Sequence, residues 1–78
     1  MNYDPNKVDE AILALLYLTL HDSNRAWKGY DWDALDRLYQ KGIIDNPRNS
    51  NKSVSLTEDG LRQCKVLFQK HFQSTESG

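Results

Sequence analysis

The chain has 78 residues, 38% of them hydrophobic, and a formal charge of -1. That length holds one domain with a modest core, the apolar content argues against a disordered chain, and the charge gives no overall pull toward nucleic acid. A single cysteine excludes an intrachain disulfide framework and fits a reducing compartment. Acids rather than a basic region precede the first apolar run, so the N-terminus does not read as a signal peptide, and a cytoplasmic location is expected.

The first helix is expected to open at Asp4-Pro5, a capping carboxylate followed by a proline whose missing amide costs nothing at the first helical position. Tyr3 and Val8 are placed to close a hydrophobic staple over that start. The run AILALLYLTL, from Ala11 to Leu20, is apolar nearly all round and about half the roughly 20 residues a bilayer needs. Such a helix is covered on more than one side. It is either a central core helix, or it keeps a surplus face with Leu13 and Tyr17 for a partner or another copy.

His21 to Asn24 end that helix, and RAWKGY leads to the next one. Trp27, Tyr30 and Trp32, interleaved with Arg25 and Lys28, form either a stacking platform for bases or a set of rings that plugs the gap between helices. A single helical turn fits this connector, limited by Gly29.

The next helix is expected over residues 31–41. Asp31 is its N-cap, Tyr30 and Leu35 its staple, and Trp32, Leu35, Leu38 and Tyr39 its apolar face, with an Asp33–Arg37 pair one turn apart on the surface. Gly42 supplies a left-handed stop, with Ile43 folding back on Leu38. Ile43-Ile44 then starts a short strand that Pro47 must end, PRNSNK is a polar tip, and Ser53 to Leu56 alternates as a half-buried strand. Thr57 caps the last helix, with Leu56 and Leu61 as staple, and Leu61, Cys64, Phe68 and Phe72 share its apolar stripe. The residues past Phe72 carry no apolar side chain, and 74–78 are expected to be a disordered tail.

Catalytic chemistry finds little support in these residues. His21, His71 and Cys64 have no metal-ligand spacing, Cys64 falls on an apolar stripe, Asp31, Asp33 and Asp36 are explained by capping and exposure, and there is no glycine-rich phosphate cradle. No enzyme, metal, cofactor or small-molecule ligand is expected. Nucleic acid would have to be met by Arg37, Lys41, Arg48 and Lys52, with Asn46, Asn49, Ser50 and Asn51 donating to phosphate from the tip, against the repulsion of Asp31, Asp33 and Asp36. A protein partner would be met by Leu13, Tyr17, Trp27 and Tyr30.

Leu35, Leu38, Gly42, Ile43, Ile44, Leu56, Thr57 and Gly60 together resemble the recognition helix, wing and following helix of winged-helix regulators of the multiple-antibiotic-resistance and phenolic-acid repressor types. KVDEAILALLYLTLHD with RAWKGYDWDALDRLYQKG resembles a family of short uncharacterised bacterial proteins, a likeness that spans nearly the whole chain. The first resemblance implies an α+β, reduced winged-helix-like domain over residues 1–73, in the order helix, helix, strand, strand, helix, with a two-stranded antiparallel hairpin. The role expected is a small non-catalytic module that binds a protein partner or itself. The alternative is DNA binding through the wing and the 31–41 helix.

Overall fold

A computed structural model describes residues 2–74, and most of the expected tail, residues 75–78, lies outside the described residues. Helix α1, Pro5–Leu18, starts where the Asp4 carboxylate accepts from the Asn6 amide at 2.9 Å. Its Ile12, Leu13, Ala14 and Leu16 are buried, so the apolar run forms the central core helix. Past α1, His21 and Arg25 exchange backbone hydrogen bonds of 2.7 and 2.9 Å around a tight turn. Asp22 and Ser23 take positive φ there, a conformation that short polar side chains tolerate better than bulky ones.

The connector does not form a helical turn. Arg25–Trp27 is a strand, β1, paired antiparallel with β2, Ser53–Ser55, in the register Arg25 with Ser55, Ala26 with Val54 and Trp27 with Ser53. Ala26 and Val54 are buried, while Trp27 on the alternate position is 50% exposed. The Arg25 guanidinium lies across the outer face, donating to Ser53 Oγ and Ser55 Oγ at 2.8 Å each.

Helix α2, Trp32–Gln40, is capped by Asp31, whose carboxylate accepts from the Ala34 amide at 3.1 Å. It ends as the residues dictate: Gly42 takes φ +73°, its amide donates to Tyr39 O, and the Ile43 amide donates to Leu38 O, both at 3.0 Å. Ala34, Leu35 and Leu38 are buried, but Trp32 is 48% exposed and Tyr39 is also exposed. The expected apolar face is thus narrower than the spacing implied, and the rings of Trp27 and Trp32 do not fill the core. Small Ala26 and Ala34 leave no room for an indole among the Leu and Ile side chains already there.

After Gly42 the chain pairs with β2 from its other side. Ile44 forms an isolated antiparallel bridge with Leu56, Asp45 N–H donates to Ser55 O at 2.9 Å, and Thr57 N–H donates to Ile43 O at 3.0 Å. The Asp45 carboxylate accepts from the Ser55 amide at 2.8 Å, which takes the place of a further ladder bond. The α+β class stands, with three helices and a two-stranded antiparallel sheet. Counting the Ile44 bridge as the first arm, the expected helix, helix, strand, strand, helix order is present, and β1 is an addition to it.

Helix α3, Glu58–Phe72, begins at Thr57, whose hydroxyl accepts from the Gly60 amide at 3.0 Å and donates to Gly42 O at 2.8 Å. This first turn sits directly on the backbone at Ile43. A Cβ at Gly60 would collide with the Ile43 carbonyl oxygen, which cannot swing away as a flexible side chain would. We expect Gly60→Ala to destabilise the domain by about 1–3 kcal/mol in urea unfolding. Gly29→Ala, which faces open space, should change stability by no more than about 0.5 kcal/mol. A neutral Gly60→Ala would show that α3 does not rest on that carbonyl.

Candidate interaction groove

Among the described residues Asp9 is the one buried charged group, 2% exposed on the otherwise apolar inner side of α1. It faces the end of α2, where Arg37 Nε lies 2.9 and 2.8 Å from its two carboxylate oxygens, Arg37 Nη2 lies 2.8 Å from Oδ1, and Lys41 Nζ lies 3.2 Å from Oδ2. Burial pushes this carboxyl's pKa up, but the hydrogen bonds and charges of Arg37 and Lys41 outweigh it, and the net result lies below the ordinary carboxylate range. Arg37 therefore does not pair with Asp33 along its own helix. A buried acid needs it more than an exposed one does.

Beside this cluster α1, the end of α2 and α3 enclose an open groove of about 740 Å³. Its floor is apolar, built from the buried Leu13, Leu38 and Ile43 and the half-buried Leu67. Its rim is charged but internally paired: Asp59 with Arg62 at 2.9 Å, and Glu10 with Lys70 at 3.1 Å and with His71 at 2.9 Å. Hydrogen bonds from His71 and Lys70 hold the Glu10 carboxyl below its usual range. Val66, also lining the groove, is 62% exposed.

The residues singled out from the sequence are scattered relative to this groove. Leu13 is part of the core and floor rather than a surplus face, and Tyr17 is half-buried with its ring 5.0 Å from that of Phe68. Trp27 stacks on His21 with centroids 4.5 Å apart, and Tyr30 packs against the core. Lys41 lines the groove and, with Arg37, is held on Asp9. Arg48 pairs with Asp36 at 2.9 Å and lies over the Trp32 ring at 5.2 Å. Lys52 is exposed, with no side-chain partner among the described residues.

The polar tip is also less free than its composition implied. Lys28 Nζ donates to Pro47 O at 2.6 Å, Asn49 O at 3.1 Å and Asn49 Oδ1 at 2.9 Å, while Asn49 Nδ2 donates back to Asn46 O at 3.1 Å. The tip is tied to the connector and, through Arg48, to α2. Asn46 and Asn49 thus have partners within the loop itself.

The outer edge of β1 is largely taken up within the chain. Both backbone groups of Arg25 are paired with His21, and the Trp27 amide donates to Thr19 Oγ1 at 3.1 Å. Among the described residues no group of three or more His, Cys, Asp or Glu is placed to hold a metal, and no helix is long and apolar enough to cross a membrane. Burial raises the Cys64 thiol pKa, away from thiolate reactivity. Sequence reasoning missed Asp9, Asp59, Arg62, Val66 and Leu67 as groove residues. Only Asp9 carried a signal, an acid one turn before Ile12 and Leu13 on an apolar helix.

Fold and site together define a small α+β domain with a groove whose floor is apolar and whose acids are ion-paired. The chain belongs to the family described as "Domain of unknown function (DUF6429)", whose model matches residues 4–74. It is 50% identical over 72 residues to the uncharacterised protein y4hR of Sinorhizobium fredii, covering 92% of this chain and 97% of that one. No solved structure matches it.

The Asp9 cluster predicts a pH dependence with a definite sign. A carboxyl held low in the folded state contributes stability that is complete above its unfolded pKa, near 4, and is lost as pH falls through the lower folded value. Urea midpoints of the native chain should therefore drop as pH goes from about 5 toward 2, and Asp9→Asn should lack that component of the drop. At neutral pH we expect Asp9→Asn to cost about 1–3 kcal/mol. That is less than the roughly 3–5 of a fully buried pair, because Arg37 and Lys41 remain partly hydrated.

Proposed function

We propose that this protein is a small non-catalytic interaction module whose groove between α1, α2 and α3 takes an apolar ridge from a partner protein. The observation that carries this is the combination within one groove: a floor of Leu13, Leu38, Ile43 and Leu67, and a rim whose acids already have partners. A catalytic cleft needs a group left poised for proton transfer or attack, whereas paired acids over an apolar floor suit burial of a partner's side chains. The covered edge of β1 disfavours strand addition, and three helices around a groove favour an amphipathic helix with anchors at three- and four-residue spacing.

DNA binding is the weaker reading. Of Arg37, Lys41, Arg48 and Lys52, the first three would each have to exchange a carboxylate for a phosphate. The likeness to winged-helix regulators remains its support.

Selection of helical peptides on the immobilised chain, followed by amide chemical-shift mapping, tests the proposal. We expect bound peptides to shift Asn6, Lys41, Arg62 and Val66, and Val66→Glu to weaken them by about tenfold or more. Binders that leave those amides unmoved, or a chain that instead retards duplex DNA at low salt in a Lys52-dependent way, would contradict it.

A further inference from the structure

We propose that the partner taken by the groove is acidic: an amphipathic helix whose apolar anchors are bordered by carboxylates, which bind Arg62 and Lys41. This rests on the groove reading given above and adds the charge of what fills it.

Hydrogen-bonding capacity is distributed unevenly around the groove. Its acids are engaged. Asp9 accepts from Arg37 on both oxygens and from Lys41 on Oδ2, and Asp59 accepts from Arg62 on Oδ1 at 2.9 Å and from Gln63 on Oδ2 at 2.8 Å. Glu10 Oε1 holds Lys70 at 3.1 Å and His71 at 2.9 Å. The donors, by contrast, exceed their acceptors. Arg62, with its side chain 71% exposed, uses only Nη2, on Asp59, so Nε and Nη1 have no acceptor among the described residues. Lys41, 46% exposed, has three N–H bonds for two acceptors, Asp9 Oδ2 at 3.2 Å and Asn6 Oδ1 at 3.4 Å. Arg62 stands on α3 and Lys41 caps α2, so two of the three walls carry a cation with donors still open.

Charge runs the same way. Arg37, Lys41, Arg62 and Lys70 sit on only three acids, Asp9, Glu10 and Asp59, and a protonated His71 adds to that excess. The groove is therefore locally positive on a chain whose formal charge is -1. A partner carboxylate can form charge-assisted hydrogen bonds to Arg62 without breaking its pair with Asp59. A partner lysine would have to displace a cation already in place, and at Glu10 it would meet both Lys70 and His71. The floor of Leu13, Leu38, Ile43 and Leu67 calls for apolar anchors between the carboxylates, which a phosphodiester chain does not offer.

Selection on the native chain from one helical peptide library tests this. Leucine anchors are fixed at three- and four-residue spacing, and the positions beside them are free to be Glu, Gln or Lys. Peptides that shift the amides of Lys41, Arg62 and Val66 should be enriched in Glu. Replacing their flanking Glu by Lys should weaken binding by about tenfold or more at low salt, and the gap should shrink as salt rises. Arg62→Glu should reverse the preference toward Lys, and the native-chain comparison stands without that variant. Groove binders that carry Lys as often as Glu, or an Arg62→Glu chain with the native preference, would overturn the acidic partner and leave the groove reading intact. A library yielding no peptide that moves those amides would overturn both.

Discussion

The carboxylate of Asp9 imposes the main constraint on this domain. A charge at 2% exposure must be neutralised where it sits, and the two cations that do so are Arg37 in the last turn of α2 and Lys41, which caps that helix. This fixes where α2 ends against α1 and which way its last turn points. Gly42 and Ile43 follow at once, so the same geometry delivers the Ile43 carbonyl to the place where Thr57 and Gly60 start α3. The three walls of the groove are positioned in this order, one polar contact after another, over a core of Leu and Ile side chains.

The sheet has a different task. Being only three residues long in each strand, it cannot stabilise itself, and it is held by side chains at every margin: Arg25 across the serines, Asp45 on the Ser55 amide, Thr19 on the Trp27 amide, and Lys28 on the loop carbonyls. The consequence for function is a largely covered edge and a tethered tip. The groove proposed for recognition is instead lined mainly by residues of the three helices.

What the sequence made legible were devices acting over two to four residues. Asp4, Asp31 and Thr57 cap the helices they were expected to cap, and Gly42 stops α2 by the expected bonds, because each links a side chain or a left-handed residue to a backbone group close by. β1 was hidden, since a strand with Ala26 as its only inward residue is too short to show a period, and that residue's partner lies 28 positions away at Val54. The exposure of Trp27 and Trp32 was hidden for a related reason: how much volume a core has left depends on every other residue in it. The groove depends on the relative placement of three helices, and its only trace in the sequence was an acid on the apolar side of α1.

The account stands most directly on the charge state of Asp9 in the folded chain. A carbon-13 NMR titration of its side-chain carboxyl should give a pKa clearly below the ordinary value of about 3.9, as expected of a buried acid held by two cations. A carboxyl that titrates at or above that value would mean that burial prevails over Arg37 and Lys41, and the positioning of α2 and the groove beside it would need another cause.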